Sequence, residues 1–132
     1  MPANPVLIDS SYYIHLARQG QDPLKSLAVA AAERDLAICG VVRCEVGRGI
    51  RHPAIREKFT AFWNVMVNVP TDNRLWEQVE EMAWQLGRQG ITLPLTDIII
   101  GCSALRIDAV VLTFDAHFYD IPGLHVTSSL GW

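Results

Sequence analysis

Lysine is scarce in this chain, cysteine is odd in number, and no long apolar run occurs; each shortage removes a class of function. Lys25 and Lys58 are the only lysines, and neither follows a glycine-rich turn, so phosphate binding through a P-loop is excluded. No Gly-x-Gly-x-x-Gly is present either, since Gly47 and Gly49 lead to His52. Without an apolar stretch near the roughly 20 residues that a spanning helix needs, a membrane protein is excluded as well. Cys39, Cys44 and Cys102 cannot all pair and sit in apolar surroundings, which predicts reduced thiols. The opening Met1-Pro2-Ala3-Asn4-Pro5 carries neither a basic region nor a signal-length apolar stretch, so a cytoplasmic location is expected.

What is present suits one globular unit. The 132 residues are 50% hydrophobic and 19% charged, too apolar for disorder and too few for two ordinary domains, so a single domain over 1–132 is expected. The net charge of -3 argues against a protein that merely coats nucleic acid. Its distribution is uneven. Arg43, Arg48, Arg51, Arg56 and Lys58 face only Glu45 and Glu57 in one stretch, whereas residues 67–132 hold three cations against eight acids.

Val6-Leu7-Ile8 is an apolar run without alternation, as expected of a strand covered on both faces. Ser10 and Ser11 can cap a helix through Arg18 that stops at Gly20, and Asp22-Pro23 opens another through the alanine-rich stretch. Leu36–Cys39 reads as a strand, followed by helices from Val42 to Ile50 and from Pro53 through Trp63. Val65–Val69 is strand-like, and residues 72–89 form the clearest helix, with Leu75, Val79, Met82, Ala83 and Leu86 at helical spacing. Trp84 lies about 140° from the centre of that stripe and marks either a second buried face or an exposed contact for a partner, the contact being favoured, while Trp63, Trp76 and Trp132 read as core or interface. Thr96 caps a helix to Arg106, and strands follow at Ala109–Leu112 and Leu124–Thr127. Strands alternating with helices predict a three-layer α/β/α sandwich around a parallel sheet.

In such folds the functional crevice lies beyond the carboxyl ends of the strands. Asp9 closes the first strand, Asp115 follows the Val110-Val111-Leu112-Thr113 strand after one intervening residue, Phe114, and Asp97 falls in the first turn of its helix. Glu45 lies in a helix with arginine-rich flanks. Each acid taken singly has an ordinary reading: a cap at Asp9, a dipole partner at Asp97, a turn residue at Asp115, an exposed pair with Arg48 at Glu45. Converging carboxylates repel one another, and a cation relieves that repulsion. Oxygen donors without a Cys/His set favour Mg²⁺ or Mn²⁺, and such ions promote phosphodiester hydrolysis.

At these residues the chain resembles the PIN-domain nucleases, most closely the VapC-type ribonuclease toxins of toxin–antitoxin pairs. Val6-Leu7-Ile8-Asp9-Ser10-Ser11 is similar to the family's opening strand and first acid, and Val41-Val42-Arg43-Cys44-Glu45-Val46-Gly47 to its helical glutamate motif. Leu93-Pro94-Leu95-Thr96-Asp97 resembles the third motif, and Thr113-Phe114-Asp115-Ala116-His117-Phe118 the fourth. The resemblance implies a PIN-like fold and an acidic site of Asp9, Glu45, Asp97 and Asp115 holding Mg²⁺ or Mn²⁺, with Asp9 and Asp97 as direct ligands. Ser10 and Thr113 orient the acids on this reading. It also implies an RNA substrate, a small antitoxin whose tail occupies the groove, and a homodimer or a complex with that antitoxin. Arg43, Arg48 and Arg51 then grip phosphates, or form a solvated helix face. His117 is read as an exposed histidine that can contact substrate. Gly101 and Ser10 stand where the family often has alanine and threonine. The alternative is a PIN-like domain that binds RNA or protein without turnover. A haloacid-dehalogenase-like phosphatase would need an acid where Ser11 stands, and a receiver domain a late lysine that is missing.

Overall fold

The computed structural model describes residues 3–130. In chain order the elements are β1 (Val6–Ile8), α1 (Ser10–Arg18), α2 (Pro23–Glu33), β2 (Leu36–Cys39), α3 (Gly40–Gly47) and α4 (Pro53–Asn64). They continue with β3 (Val67–Val69), α5 (Asn73–Arg88), α6 (Leu95–Arg106), β4 (Val110–Leu112), a 3-10 turn (Ala116–Asp120) and β5 (His125–Thr127). All strand pairings are parallel, and the sheet order is β3-β2-β1-β4-β5.

The unbroken apolar run Val6-Leu7-Ile8 makes β1 the central strand, paired to β2 on one side and β4 on the other, with none of its side chains exposed. Each fully buried aliphatic side chain of this kind contributes on the order of 2 kcal/mol. From β1 the chain steps through β2 to β3 in one direction and then returns across the sheet to β4. Right-handed crossovers therefore put α1–α4 on one face and α5 with α6 on the other. The direction of winding reverses between β1 and β4, and a crevice opens at their carboxyl ends.

Local chemistry sets the helix limits. The Asp22 side chain accepts from Leu24 N–H and Pro23 fills the first turn of α2. Asp72 caps α5 by accepting from Leu75 N–H, and the same carboxylate takes two bonds from Arg106 at 2.7 Å, which pins the start of α5 to the end of α6. Gly90, at φ +79, ends the α5 segment in the left-handed region where glycine is unstrained. Trp63 is core: it packs on Tyr13 and Phe59, and its indole N–H donates to the Tyr13 hydroxyl at 3.2 Å. Among the described residues no helix is long and apolar enough to cross a membrane.

Several boundaries differ from the sequence expectation. The first helix is capped by Asp9, whose side chain accepts from Ser11 N–H, so Ser10 and Ser11 are already inside it. Helix α6 starts at Leu95 behind Pro94, without a side-chain cap from Thr96. Helix α3 begins directly after β2 and ends at Gly47, and the turn Ala116–Asp120 had no expected counterpart. Cys44 is exposed, not buried in apolar surroundings, although Cys39 and Cys102 are buried and all three are free thiols. Trp76 and Trp84 are exposed on α5, with the Arg88 guanidinium 5.1 Å from the Trp84 ring centre. Trp132 lies outside the described residues.

Candidate active site

Asp9 leaves β1 at the winding reversal, beside the end of β4, and is only 2% exposed. Its Oδ2 accepts from the Ser11 hydroxyl at 2.7 Å and the Thr113 hydroxyl at 2.8 Å. Thr113 in turn accepts from Asp115 N–H at 2.9 Å, so one buried hydroxyl fixes both the first and the last acid. The Ser10 hydroxyl lies 2.9 Å from Glu45 Oε1 and 3.3 Å from Asp9 Oδ1. A single hydroxyl proton serves one acceptor at a time, and the shorter bond goes to Glu45. With Oδ2 occupied by hydroxyls, Oδ1 is the Asp9 oxygen with spare acceptor capacity.

Asp97 is 8% exposed in the first turn of α6, which presents it at the same edge of the sheet. Asp115 caps the 3-10 turn by accepting from His117 N–H, and that tight turn folds the His117 imidazole back between two acids. Its Nδ1 lies 3.0 Å from Asp97 Oδ2 and 3.1 Å from Asp115 Oδ1. Ligand atoms of Asp97, Asp115 and His117 all lie within 4.8 Å of one another. Burial, reinforced by the charges of Asp115 and Asp9, pushes the Asp97 carboxyl up to about 6 against the stabilising bond from His117. The His117 imidazole is raised above its ordinary value, first by its bond to Asp97.

Hydrogen bonds link Glu45 to the Ser10 hydroxyl beside Asp9, and Asp97 to Asp115 through His117; among the described residues the close cluster of possible ligand atoms comprises Asp97, Asp115 and His117 and includes neither Asp9 nor Glu45. The charges of Asp9 and Asp115 both act on Asp97. The carboxylate oxygens are hard donors of the kind that suits Mg²⁺ or Mn²⁺, whereas the His117 imidazole beside them is a donor that the sequence expectation of an all-oxygen site did not include. Sequence reasoning missed two participants. Ser11 registers in sequence only as a helix-start residue, although its hydroxyl holds Asp9. His117 carried a usable signal, because an aspartate two positions before a histidine in a tight turn brings ring and carboxylate together.

The arginines divide. Arg43 bonds Asn64 and Asn68 and lies 5.6 Å from the Trp63 ring centre. Arg48 borders a separate cleft with Arg43 and Arg56. Arg51 instead lines a groove of about 760 Å³ between the α1–α2 and α3–α4 segments, whose wall includes Glu45, Ile14, Leu24, Ile50 and Ile55. Arg18 and Lys58 add positive charge to the same wall.

An acidic cluster at the winding reversal of a parallel sheet defines a doubly wound α/β protein with its site at the strand ends. The PIN domain family model matches residues 6–124, and the chain belongs to that family. Similar solved structures include VapBC2 of Rickettsia felis bound to a promoter DNA fragment, with 17% identity over 93% of this chain and 97% of that chain at TM-score 0.75. A toxin–antitoxin complex of Klebsiella pneumoniae shares 22% identity over 92% of this chain and 95% of that chain at TM-score 0.66. VapC20 of Mycobacterium tuberculosis, described as a sarcin-ricin-loop-cleaving toxin, shares 18% identity over 86% and 92% at TM-score 0.64. At these identities the likeness is one of fold. No curated protein sequence matches significantly.

Proposed function

We propose that this chain is a single-domain, metal-dependent endoribonuclease, the cytoplasmic toxin of a type II toxin–antitoxin pair held silent by a small antitoxin. The observation that carries the reading is the Asp97–Asp115–His117 cluster beside Asp9 in a chain of the PIN family. Mg²⁺ or Mn²⁺ would be held by Asp9, Asp97 and Asp115, with Glu45 completing the acidic set. Such an ion makes a bound water more acidic and stabilises the leaving oxygen. The protein's own part is positional. Ser11 and Thr113 turn Asp9 so that Oδ1 remains available, Ser10 holds Glu45, and burial excludes water around Asp97. Of Arg43, Arg48 and Arg51, the last is best placed to meet a phosphate, since it shares a groove with Glu45.

The largely apolar groove, lined by Arg18, Arg51 and Lys58 as well as by Asp22 and Glu45, supports the antitoxin part of the reading: it suits an amphipathic segment of mixed charge. The similarity to toxin–antitoxin complexes agrees with it. Exposed Trp84 on α5 supports a second interface, used either for a homodimer or within the heterocomplex.

The test is cleavage of a broad RNA pool by purified protein with Mg²⁺ or Mn²⁺ and with chelator. Cutting should require the ion and vanish in Asp97→Asn, whose circular dichroism should match wild type. If wild type and Asp97→Asn behave alike on that pool, the domain binds without turnover and the enzyme reading fails.

A further inference from the structure

The residue between Thr113 and Asp115 has no use in the acidic site and none in the core. Phe114 is 47% exposed, whereas Phe118 four residues on is fully buried. A single exposed apolar side chain is by itself ordinary on a protein surface. Phe114 is nonetheless held firmly. Its ring lies parallel to Tyr12, with centroids 5.0 Å apart and planes 7° apart, and meets His15 at 4.3 Å. Tyr12 and His15 are three apart on α1 and so share one helix face, which makes a backing for the ring.

The backbone ties this aromatic group to the site. Phe114 N–H donates to the Ser11 hydroxyl at 3.2 Å, and that hydroxyl donates to Asp9 Oδ2 at 2.7 Å. Asp115 follows directly, one Cα step of ~3.8 Å away. A partly exposed ring is therefore held against Tyr12 and His15 on a residue whose backbone is bonded into the acidic site.

The geometry points to Phe114, backed by Tyr12 and His15, as a subsite that stacks one unpaired nucleobase flanking the phosphodiester at the acids. This rests on the ribonuclease reading above and adds a base-stacking position to it. Bases present a π-face to a protein only when splayed out of a duplex, so the substrate is a loop, bulge or single strand. Stacking accepts any base, so Phe114 selects for an unpaired base and leaves base identity to other contacts.

The experiment uses short single-stranded oligoribonucleotides carrying 2-aminopurine at successive positions, mixed in chelator with wild type, Phe114→Leu and Phe114→Trp. Leucine keeps the apolar packing on Tyr12 but has no π-face, so a folded Phe114→Leu protein is expected. Wild type and Phe114→Trp should quench the fluorescence at one position, and Phe114→Leu should lose that quench and bind roughly five- to a hundredfold more weakly. Affinity for a fully paired RNA duplex should be the same for all three. Equal quenching and equal affinity for wild type and Phe114→Leu would overturn the subsite while leaving the nuclease reading intact. A wild type that neither binds these strands nor cuts the RNA pool with Mn²⁺ overturns both.

Discussion

The Ser10 hydroxyl reaches Glu45 Oε1 at 2.9 Å, joining the residue after the first strand to a helix 35 positions away. Glu45 is the acid whose local sequence spacing demanded least, and this bond is what attaches it to the site. Ser10 stands where the family often has threonine, and its hydroxyl does the work a threonine hydroxyl could do. Ser10→Ala should keep the fold and lower RNA cleavage, or metal affinity, by roughly 10- to 100-fold, the usual cost of removing a partner that orients a ligand. Ser10→Thr should recover most of it. Cleavage rates and Mn²⁺ titration of the three proteins check this, and an Ala variant as active as wild type would show that Glu45 needs no such hold.

Asp97 links activity to stability with opposite signs. Its carboxyl ionises at about 6 in the fold against an ordinary value of 3.8, mainly because it is buried. A raised carboxyl contributes fully below its unfolded value, and that contribution is lost as pH climbs through the folded value. Metal-free wild type should therefore weaken between about pH 4 and pH 6, whereas Asp97→Asn should not. At about pH 8 in chelator the variant should be more stable by on the order of 1–3 kcal/mol, and near pH 4 the two should converge. Denaturant unfolding at both pH values measures the difference, and a gap that does not change with pH contradicts the assignment.

His117 shows the complementary dependence. Its imidazole is raised by the bond to Asp97 and by the charge of Asp115, so the protonated ring stabilises the metal-free fold below its unfolded value near 6.5 and ceases to do so as pH rises through the folded value. His117→Ala should lower the melting temperature of metal-free protein at mildly acidic pH and change it little at alkaline pH. Thermal melts across that range provide the check; a larger loss at alkaline pH would be the wrong sign.

Gly101 faces the Ile121 side chain across a tight contact. A Cβ built at Gly101 would lie 2.5 Å from Ile121 Cδ1, inside van der Waals contact, in a buried part of α6. Gly101→Ala alone should cost about 1–2 kcal/mol, overpacking outweighing the better helix propensity of alanine. Adding Ile121→Val removes the clashing methyl and should recover the loss, so a double-mutant cycle should give a favourable coupling. Simple additivity would mean that Ile121 swings aside freely.

Trp84 is 60% exposed on α5, with the Arg88 guanidinium 5.1 Å from its ring centre. Trp84→Glu should shift sedimentation toward a smaller species or weaken partner binding, with unchanged far-ultraviolet dichroism. An unaltered profile together with normal partner affinity assigns the ring to the solvent.

Sequence alone determined the elements and their order. An apolar run without alternation at Val6–Ile8, the Asp22-Pro23 helix start, and the helical stripe through Leu75, Val79 and Leu86 are local signals, written in the period of the chain and the chemistry of its neighbours. Three of the acids were also legible, because the end of a parallel strand and the first turn of the following helix face one edge whatever the rest of the fold does. Tertiary structure decided how those acids are held: Glu45 bonded to the Ser10 hydroxyl, Ser11 and Thr113 meeting on Asp9 from 102 positions apart, His117 folded between Asp97 and Asp115, and Phe114 stacked on a helix it never neighbours in sequence. Such contacts depend on strand order and winding direction, which bring distant residues together, and no period or spacing along a single chain encodes them.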